Sequence, residues 1–269
     1  MSKLTILGSG TAVSSFYKPF DFRHPSGYLL EHNNKKYLIE CSESTRYRLE
    51  KIKIDYYKVE NILISHFHPD HFMILSFIQS ISGRARWANE KKILNIYGPK
   101  GIEERVRMFW DATHYKGNYD EILSSVLDLH YEEFEKDKKF LLDKDLSIMP
   151  FSVNHQSGRM DTYAMKFEIS QKLFTYSGDC GPCEGINSAS DNADILVIEC
   201  AAAIGQDMTE FGHFNATQVG ILAVKKNIKK LILSHLTGQY SDKELEVEVR
   251  KSGFTGELSI AKDFDVFSL

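Results

Sequence analysis

The feature that most constrains the fold is a buried strand followed at once by a cluster of metal-ligand side chains. Residues 61–65 form a short, continuous apolar run that ends in a polar residue, which is typical of a strand covered on both faces. The next six residues read His66-Phe67-His68-Pro69-Asp70-His71. Three imidazoles and a carboxylate this close together are costly unless a bound group organises them. Such ligands bind first-row metals, and this mixture favours zinc, with iron or manganese as alternatives.

Short apolar runs alternate with glycine-rich or polar breaks along almost the whole chain. The runs predict strands at 4–8, 27–31, 36–40, 61–65, 146–154, 163–170, 172–179, 193–200 and 229–235, and a strand followed by a Gly/Pro turn at 93–101. Helical spacing and capping signals predict helices at 45–54, 72–81, 102–111, 216–227 and 241–253. There is no linker-like or repeated segment, so residues 1–269 are expected to form a single domain. Two β-rich halves with helices outside them indicate an α/β fold, a four-layer αββα sandwich.

Composition excludes several classes of protein. The chain of 269 residues is 42% hydrophobic, which is enough for a large core. Its net charge of −4 gives no global basic field for nucleic acid, and no apolar run reaches the roughly 18 residues of a membrane span. The first apolar run is too short for a signal peptide, and four cysteines are too few for a disulfide scaffold. We therefore expect a cytoplasmic protein with no membrane partner.

The histidine cluster resembles the His-x-His-x-Asp-His signature of the metallo-β-lactamase superfamily. The likeness extends along most of the chain, because an isolated His155, the Asp179 of Tyr-Ser-Gly-Asp, and the His235 of Leu-Ser-His-Leu follow later strands in the family's order. The resemblance implies that two divalent metal ions bind per chain, with one residue shared. The implied ligands are His66, His68 and His155 for one ion, Asp70, His71 and His235 for the other, and Asp179 between them.

Two further segments, 97–101 and 212–217, together with the opening Leu-Gly-Ser-Gly-Thr-Ala, resemble ribonuclease Z and its short phosphodiesterase relatives. In that family a histidine at the position of His213 lies beside the scissile phosphate. The resemblance implies that His213 protonates the leaving oxygen or holds a phosphate oxygen. At a two-metal centre, Asp70 and Asp179 are both acceptors that could orient the attacking hydroxide. The alternative for His213 is a helix-capping or core residue. The family has Ser or Thr two positions later, where this chain has Asn215, which can still cap a helix.

One departure from the family concerns the substrate. Bacterial ribonuclease Z enzymes carry a long arm between the third histidine and the bridging aspartate, with which they grip tRNA. Here His155 and Asp179 are only 24 positions apart, a span filled by two predicted strands and a turn. Since tRNA binding depends largely on phosphate neutralisation, the net charge of −4 also disfavours tRNA. The expected substrate is a small phosphodiester or nucleotide, cyclic nucleotides included.

Three other functions remain open. The same metal centre could hydrolyse a non-phosphate ester, thioester, lactam or lactone, or the chain could be a non-catalytic metal-binding or cofactor-pathway protein. Redox chemistry could use a di-iron centre or the Cys180-Gly-Pro-Cys183 string, although that string directly follows Asp179 rather than opening a thioredoxin-type helix. Whether the chain forms a homodimer also stays open.

A few other side chains have ambiguous patterns. Arg84, Arg86 and Trp87 could form a wall of a substrate cleft or belong to a solvated loop, and Lys100 has the same two interpretations. The remaining histidines lack a ligand-like context and are expected to be surface or packing residues. They are His24, His32, His114 and His130.

Overall fold

The strands that the structure describes form two seven-stranded sheets. The computed structural model describes residues 2–13, 22–136 and 138–269. The first sheet contains β1 (Lys3–Gly8), β2 (Gly27–His32), β3 (Lys35–Ile39), β4 (Asn61–Leu63), β5 (Lys92–Gly98), β6 (Leu127–Glu133) and β14 (Val266–Ser268). The second contains β7 (Phe140–Asp143), β8 (Leu146–Val153), β9 (Thr162–Ile169), β10 (Lys172–Tyr176), β11 (Ile195–Glu199), β12 (Lys230–Ser234) and β13 (Glu257–Ile260).

The two sheets share one pattern of strand directions. Their orders are β14-β1-β2-β3-β4-β5-β6 and β13-β12-β11-β10-β9-β8-β7. In the first sheet β14, β1, β2 and β3 pair antiparallel, and β3 to β6 pair parallel. In the second, β7 to β10 pair antiparallel and β10 to β13 pair parallel. Parallel strands end at the same edge of a sheet, which is where ligand sites of such sheets lie.

Helices cover the outer face of each sheet. They are α1 (Thr45–Lys51), α2 (Ile74–Ala88), α3 (Ile102–Thr113), α4 (Tyr119–Leu123), α5 (Glu184–Ala189), α6 (Ala216–Lys225) and α7 (Asp242–Lys251). Because strand side chains alternate between faces, Leu29 packs in the cluster with α2 and α3 while Leu30 packs between the sheets. In β11, Leu196 likewise packs with α6 and α7, and Val197 packs between the sheets. The four-layer αββα architecture predicted from the sequence is therefore confirmed.

The predicted elements are all present, with differences at their ends. The strand at 61–65 is shorter, Asn61–Leu63, and the helix predicted at 72–81 runs from Ile74 to Ala88. The interpretation of Arg84 to Trp87 as a loop is therefore wrong, because these residues form the last turns of α2. Arg84 pairs there with Asp55, and Trp87 is 92% exposed. No helix within the described ranges is both long and apolar enough to cross a membrane.

The packing between the sheets generates a stability prediction for Phe167. This side chain is fully buried and its ring stacks on that of Phe174, with 5.1 Å between centroids. Phe167→Ala leaves a cavity and should lower the free energy of unfolding by about 3–5 kcal/mol. Urea unfolding should show a lower midpoint with an unchanged m-value. Leu141→Ala, at a residue 72% exposed on β7, is the control and should change stability by less than about 0.5 kcal/mol. Equal losses would contradict this core.

Candidate metal centre

The structure brings all seven predicted metal ligands into one place. The first group contains His66, His68, His155 and Asp179, and the second contains Asp70, His71 and His235. In each group, one donor atom per residue lies within 4.8 Å of the others. His68 and Asp70 are half-buried, and the other five side chains are buried. The arrangement is a polar centre with an accessible side.

The ends of four strands deliver these residues. The turn after β4 carries His66 to His71, whereas His155, Asp179 and His235 follow β8, β10 and β12. His235 has a left-handed φ of 52°, an uncommon conformation that rotates the chain out of the strand. Because β4 belongs to the first sheet and the other three strands to the second, the centre joins both halves of the sandwich.

The distances within the clusters fit shared metal ions. Two donors that are each about 2.1 Å from one tetrahedral ion lie about 3.4 Å apart. His155 Nε2 is 3.2 Å from His68 Nδ1, and His66 Nε2 is 3.8 Å from Asp179 Oδ2. In the second group, His235 Nε2 lies 3.4 Å from both His71 Nε2 and Asp70 Oδ2. Asp179 lies close to both groups. Besides its contact with His66 in the first group, its Oδ1 lies 3.3 Å from His71 Nε2 and its Oδ2 lies 3.3 Å from His235 Nε2 in the second.

Unpaired buried polar atoms also indicate that metal ions fit between these residues. His66 Nε2 and Asp179 Oδ1 are buried without a hydrogen-bond partner among the described residues. The other ring nitrogen of His66, Nδ1, lies 2.9 Å from the Ser65 hydroxyl, so Nε2 is the atom left for the centre. Leaving such atoms unsatisfied is costly, and a divalent cation would satisfy both. The His/Asp clusters are therefore consistent with a binuclear metal site.

Burial and charge set the protonation of these groups. Burial lowers the pKa of His66 well below its usual value and that of His155 to about 4. Burial alone would raise the pKa of Asp179, but the charges of His235 and His71 outweigh it and hold this pKa well below the usual range. Neutral imidazoles and ionised carboxylates are the forms that bind metal ions. His71 differs, because Asp179 and Glu40 outweigh burial and raise its pKa.

Glu40 is a buried residue beside the clusters that the sequence reasoning missed. It is fully buried just after β3, with a left-handed φ of 61°. Its Oε1 lies 3.5 Å from His71 Nδ1, and its carboxylate accepts a hydrogen bond from the Ser65 amide. A carboxylate on the outer nitrogen fixes the orientation of a ligand imidazole, here with Nε2 toward Asp179. The sequence feature that could have indicated Glu40 is a charged residue at the end of an apolar strand.

A second missed residue, Glu199, holds His213. Glu199 is buried, and its Oε1 lies 2.9 Å from His213 Nδ1 and also accepts from the Phe214 amide. Burial opposes the charged form of His213, but the charge and hydrogen bond of Glu199 outweigh it and raise the pKa to about 9. A ring nitrogen of His213 lies within 4.8 Å of donor atoms of Asp179 and His235. His213 therefore stands beside the clusters.

The alternative of a helix-capping His213 is wrong. The N-cap of α6 is Asn215, whose side chain accepts from the Gln218 amide at 2.9 Å. The Gln218 side chain in turn accepts from the Asn215 amide, which completes a capping box. The expected capping role of Asn215 is confirmed, and His213 does not cap this helix.

The cysteine pair lacks the properties of a redox site. Cys180 and Cys183 are free thiols, and Cys180 is fully buried. Burial raises the pKa of the Cys180 thiol well above its usual value, whereas reactive cysteines have a lowered pKa. The Cys183 sulfur accepts a hydrogen bond from the Asn154 amide. The structure thus disfavours catalytic redox chemistry at this string.

The histidines outside the centre lie where surface or packing residues were expected. His24 bonds to Asp263, His114 stacks on Trp110, and His130 is exposed. His32 is buried and bonds to Ser2 and Asp145. His32 and Asp145 form a small group with Asp143, whose carboxylate pairs with Lys35.

Comparison with known proteins identifies the family. The family model described as "Anti-Pycsar protein Apyc1" matches residues 2–263. The chain belongs to the Apyc1 family. It is 25% identical to ribonuclease Z of Methanosarcina acetivorans over 90% of both chains. The crystal structure of the metallo-β-lactamase-fold protein YhfI from Bacillus subtilis matches with a TM-score of 0.78 and 24% identity over 100% of both chains. A diphosphatase of the PhnP family matches with a TM-score of 0.75 and 18% identity, over 100% of this chain and 98% of that one.

These comparisons confirm the resemblance found in the sequence. The fold is that of the metallo-β-lactamases, and the chain is related to ribonuclease Z. Membership of the Apyc1 family and the two His/Asp clusters together make it a metal-binding hydrolase of this fold. The identities of the metal and the substrate are separate questions.

Gly212 provides a test of how the loop between β11 and α6 supports His155. The Gly212 carbonyl lies 3.1 Å from His155 Nδ1, its φ is 83°, and an added Cβ would lie 2.4 Å from His155 Cα. Gly212→Ala should therefore lower the melting temperature and weaken metal binding, measured by chelator competition. Gly205→Ala is the matched control, because Gly205 has a φ of 77° with nothing within 4 Å of an added Cβ. It should show only the backbone penalty of about 1 kcal/mol. Equal metal affinities in the two variants would contradict the role of the His155 contact.

Proposed function

We propose that the chain is a two-metal phosphodiesterase that acts on nucleotides, with cyclic nucleotides as the favoured substrates. The observation that carries the proposal is the His213–Glu199 pair beside two sets of metal-ligand side chains. The family supports it, since Apyc1 is a cyclic nucleotide phosphodiesterase. A protein with a similar fold, from the PhnP family, is named as a diphosphatase.

The proposed ligands follow the two clusters. His66, His68 and His155 would hold one ion, and Asp70, His71 and His235 would hold the other, with Asp179 shared. The short distances from Asp179 to residues of both groups support the shared role. Imidazole-rich ligand sets favour zinc, with manganese or iron as alternatives. When bound, two such ions neutralise charge at the phosphate and activate water.

The protein's own groups would then orient water and move a proton. Asp70 and Asp179 are acceptors whose pKa values lie below the usual range, so both can accept a hydrogen bond from the attacking water. His213 keeps its Nδ1 on Glu199, which leaves Nε2 for the substrate. With a pKa near 9 it is protonated at neutral pH and can donate to the leaving oxygen.

The segment between His155 and Asp179 supports a small substrate. It contains a 3₁₀ turn at Gln156–Gly158 and the two strands β9 and β10, which pair with each other in the second sheet. This part of the chain is therefore used within the sandwich, as the sequence predicted, and projects no tRNA-gripping arm. The second candidate function, processing of precursor tRNA, is favoured by the similarity to ribonuclease Z.

Metal content tests the proposed ligands. The purified protein should contain close to two metal ions per chain, mostly zinc, by elemental analysis. Asp179→Ala should reduce this content and abolish hydrolysis, because the substitution removes a carboxylate that lies close to residues of both clusters. Asp194→Asn, a carboxylate at the opposite end of β11, is the control and should retain both ions. An Asp179→Ala protein with full occupancy and an unchanged rate would remove Asp179 from the centre.

The role of His213 can be tested through the leaving group. His213→Ala should slow diesters with poorly acidic leaving groups by about 10²–10⁴-fold. Bis(p-nitrophenyl) phosphate should be affected much less, since its leaving group scarcely needs a proton. Glu199→Gln should act in the same direction with a smaller effect, because it removes the charge that favours protonated His213. Steady-state kinetics on both diester types measure the difference, and equal losses on both would exclude a role as general acid.

Substrate size separates the two candidate functions. We expect hydrolysis of cyclic nucleotides and other small diesters to be far more efficient than 3′ processing of precursor tRNA at physiological salt. The metal centre acts on the phosphate itself, whereas orienting a folded tRNA needs many remote contacts. The panel should include non-phosphate esters, a thioester and a lactone, which would reveal another hydrolase. Efficient tRNA cleavage with negligible turnover of small diesters would refute the proposal.

A further inference from the structure

A carboxylate outside the metal clusters ties two loops together. Asp263 follows β13, and its side chain is only 12% exposed. Its Oδ1 accepts hydrogen bonds from the Ser9 amide and hydroxyl, both at 2.8 Å. Its Oδ2 accepts from the His24 amide at 2.8 Å and lies 2.7 Å from His24 Nδ1. All four partners belong to segments of the chain more than 230 positions away.

The loop of residues 9–12 connects Asp263 with the second cluster. At one end, the Ser9 carbonyl accepts from the amide of Leu236, the residue after His235, at 2.9 Å. In the middle, the amide of Gly10 donates to the His24 carbonyl at 2.8 Å. At the other end, the amide of Ala12 donates to Asp70 Oδ2 at 3.0 Å. The 9–12 loop therefore touches the chain beside one member of the cluster and the side chain of another.

The Ala12 amide binds the Asp70 oxygen that faces the second cluster. Asp70 Oδ2 is the atom that lies 3.4 Å from His235 Nε2 and 3.8 Å from His71 Nε2. Asp70 is half-buried, so packing alone restrains its rotamer less than that of the fully buried His71. A hydrogen bond from a fixed amide restricts which way the carboxylate turns.

The 9–12 loop needs an anchor of its own. It contains Gly10, and a glycine loses more conformational freedom on ordering than other residues. Asp263 holds Ser9 of this loop directly. It also holds His24, whose carbonyl accepts a hydrogen bond from the Gly10 amide of the loop. Burial would raise the pKa of Asp263, but the hydrogen bonds from His24 and Ser9 outweigh it and lower the pKa, which keeps the carboxylate ionised at neutral pH.

We propose that Asp263 is a positioning residue for the second metal cluster, which acts by fixing the 9–12 loop so that the Ala12 amide orients Asp70. The role assigned to Asp70 rests on the proposed function. Among the described residues, the hydrogen bonds of Asp263 go to Ser9 and His24 and not to a side chain of the clusters. Its effect should therefore appear in the binding of one ion and in the rate of turnover.

The test compares Asp263→Asn with a matched carboxylate. The amide replaces one acceptor oxygen with a donor, which faces either the donors of Ser9 or those of His24. Chelator competition should show one of the two zinc ions bound about 10–100-fold more weakly and the other unchanged. With bis(p-nitrophenyl) phosphate, kcat should fall while KM changes by less than about threefold. Ser9→Ala removes the hydroxyl bond to Asp263, together with the bond that this hydroxyl accepts from Arg23, and keeps the amide bond. It should have a smaller effect in the same direction.

Asp194→Asn is the control for a general loss of stability. Asp194 accepts from the Leu173 amide and Lys229 at the start of β11, about 16 Å along the strand from its carboxyl end. This variant should change the melting temperature without changing zinc binding or kcat. If Asp263→Asn behaves like it, or weakens both ions equally, the inference is wrong. If Asp263→Asn does not fold, Ser9→Ala decides by the same criteria. A wild-type chain without diesterase activity would refute the proposed function, whereas zinc binding would still test the role of Asp263.

Discussion

The centre depends on one buried negative charge. Asp179 is 3% exposed, and an ionised carboxylate at that depth is stable only with close partners. Its oxygens lie 3.3 Å from His71 and His235 and 3.8–4.0 Å from His66 and His155. Because Asp179 comes from the second sheet and His66 and His71 from the first, these contacts couple the two halves of the sandwich. The packing of the two sheets therefore brings the residues of the centre together.

The backbone around the centre is held in uncommon conformations. Glu40, Gly178, Gly212 and His235 all have left-handed φ values, between 52° and 83°. At Gly178 an added Cβ would lie 2.7 Å from the Tyr163 carbonyl, so only glycine fits this turn before Asp179. Such conformations are unfavourable for most residues and persist where the surrounding structure enforces them. The strands provide that support, and the turns at their ends aim the side chains.

The sequence predicted the parts of this protein that have a regular pattern. The candidate ligand positions could be predicted because each lies at or after the end of an apolar run that indicated a buried strand. Glu40 and Glu199 were not identified, since a single glutamate at the end of a strand has no spacing that signals a partner. The strands β6, β7, β13 and β14 were missed because they are short or carry many half-exposed polar residues. Residues 84–87 were misassigned because the apolar spacing of α2 fades toward its exposed end.

The groups that face the Nδ1 atoms of the histidines explain how histidine can serve both as a metal ligand and as a proton donor in the proposed mechanism. In His66, His71 and His155, Nδ1 faces Ser65, Glu40 and the Gly212 carbonyl, so that Nε2 is directed to the centre. His213 follows the same rule with Glu199. The rings of His155 and His213 are only 5.0 Å apart, yet burial lowers the pKa of His155 to about 4. At His213 the charge of Glu199 outweighs burial and raises the pKa to about 9. Environments that separate the pKa values of neighbouring groups assign them different roles. For this neighbouring pair, the carbonyl partner of His155 suits a neutral imidazole, and the carboxylate partner of His213 suits the proton donor of the proposed mechanism.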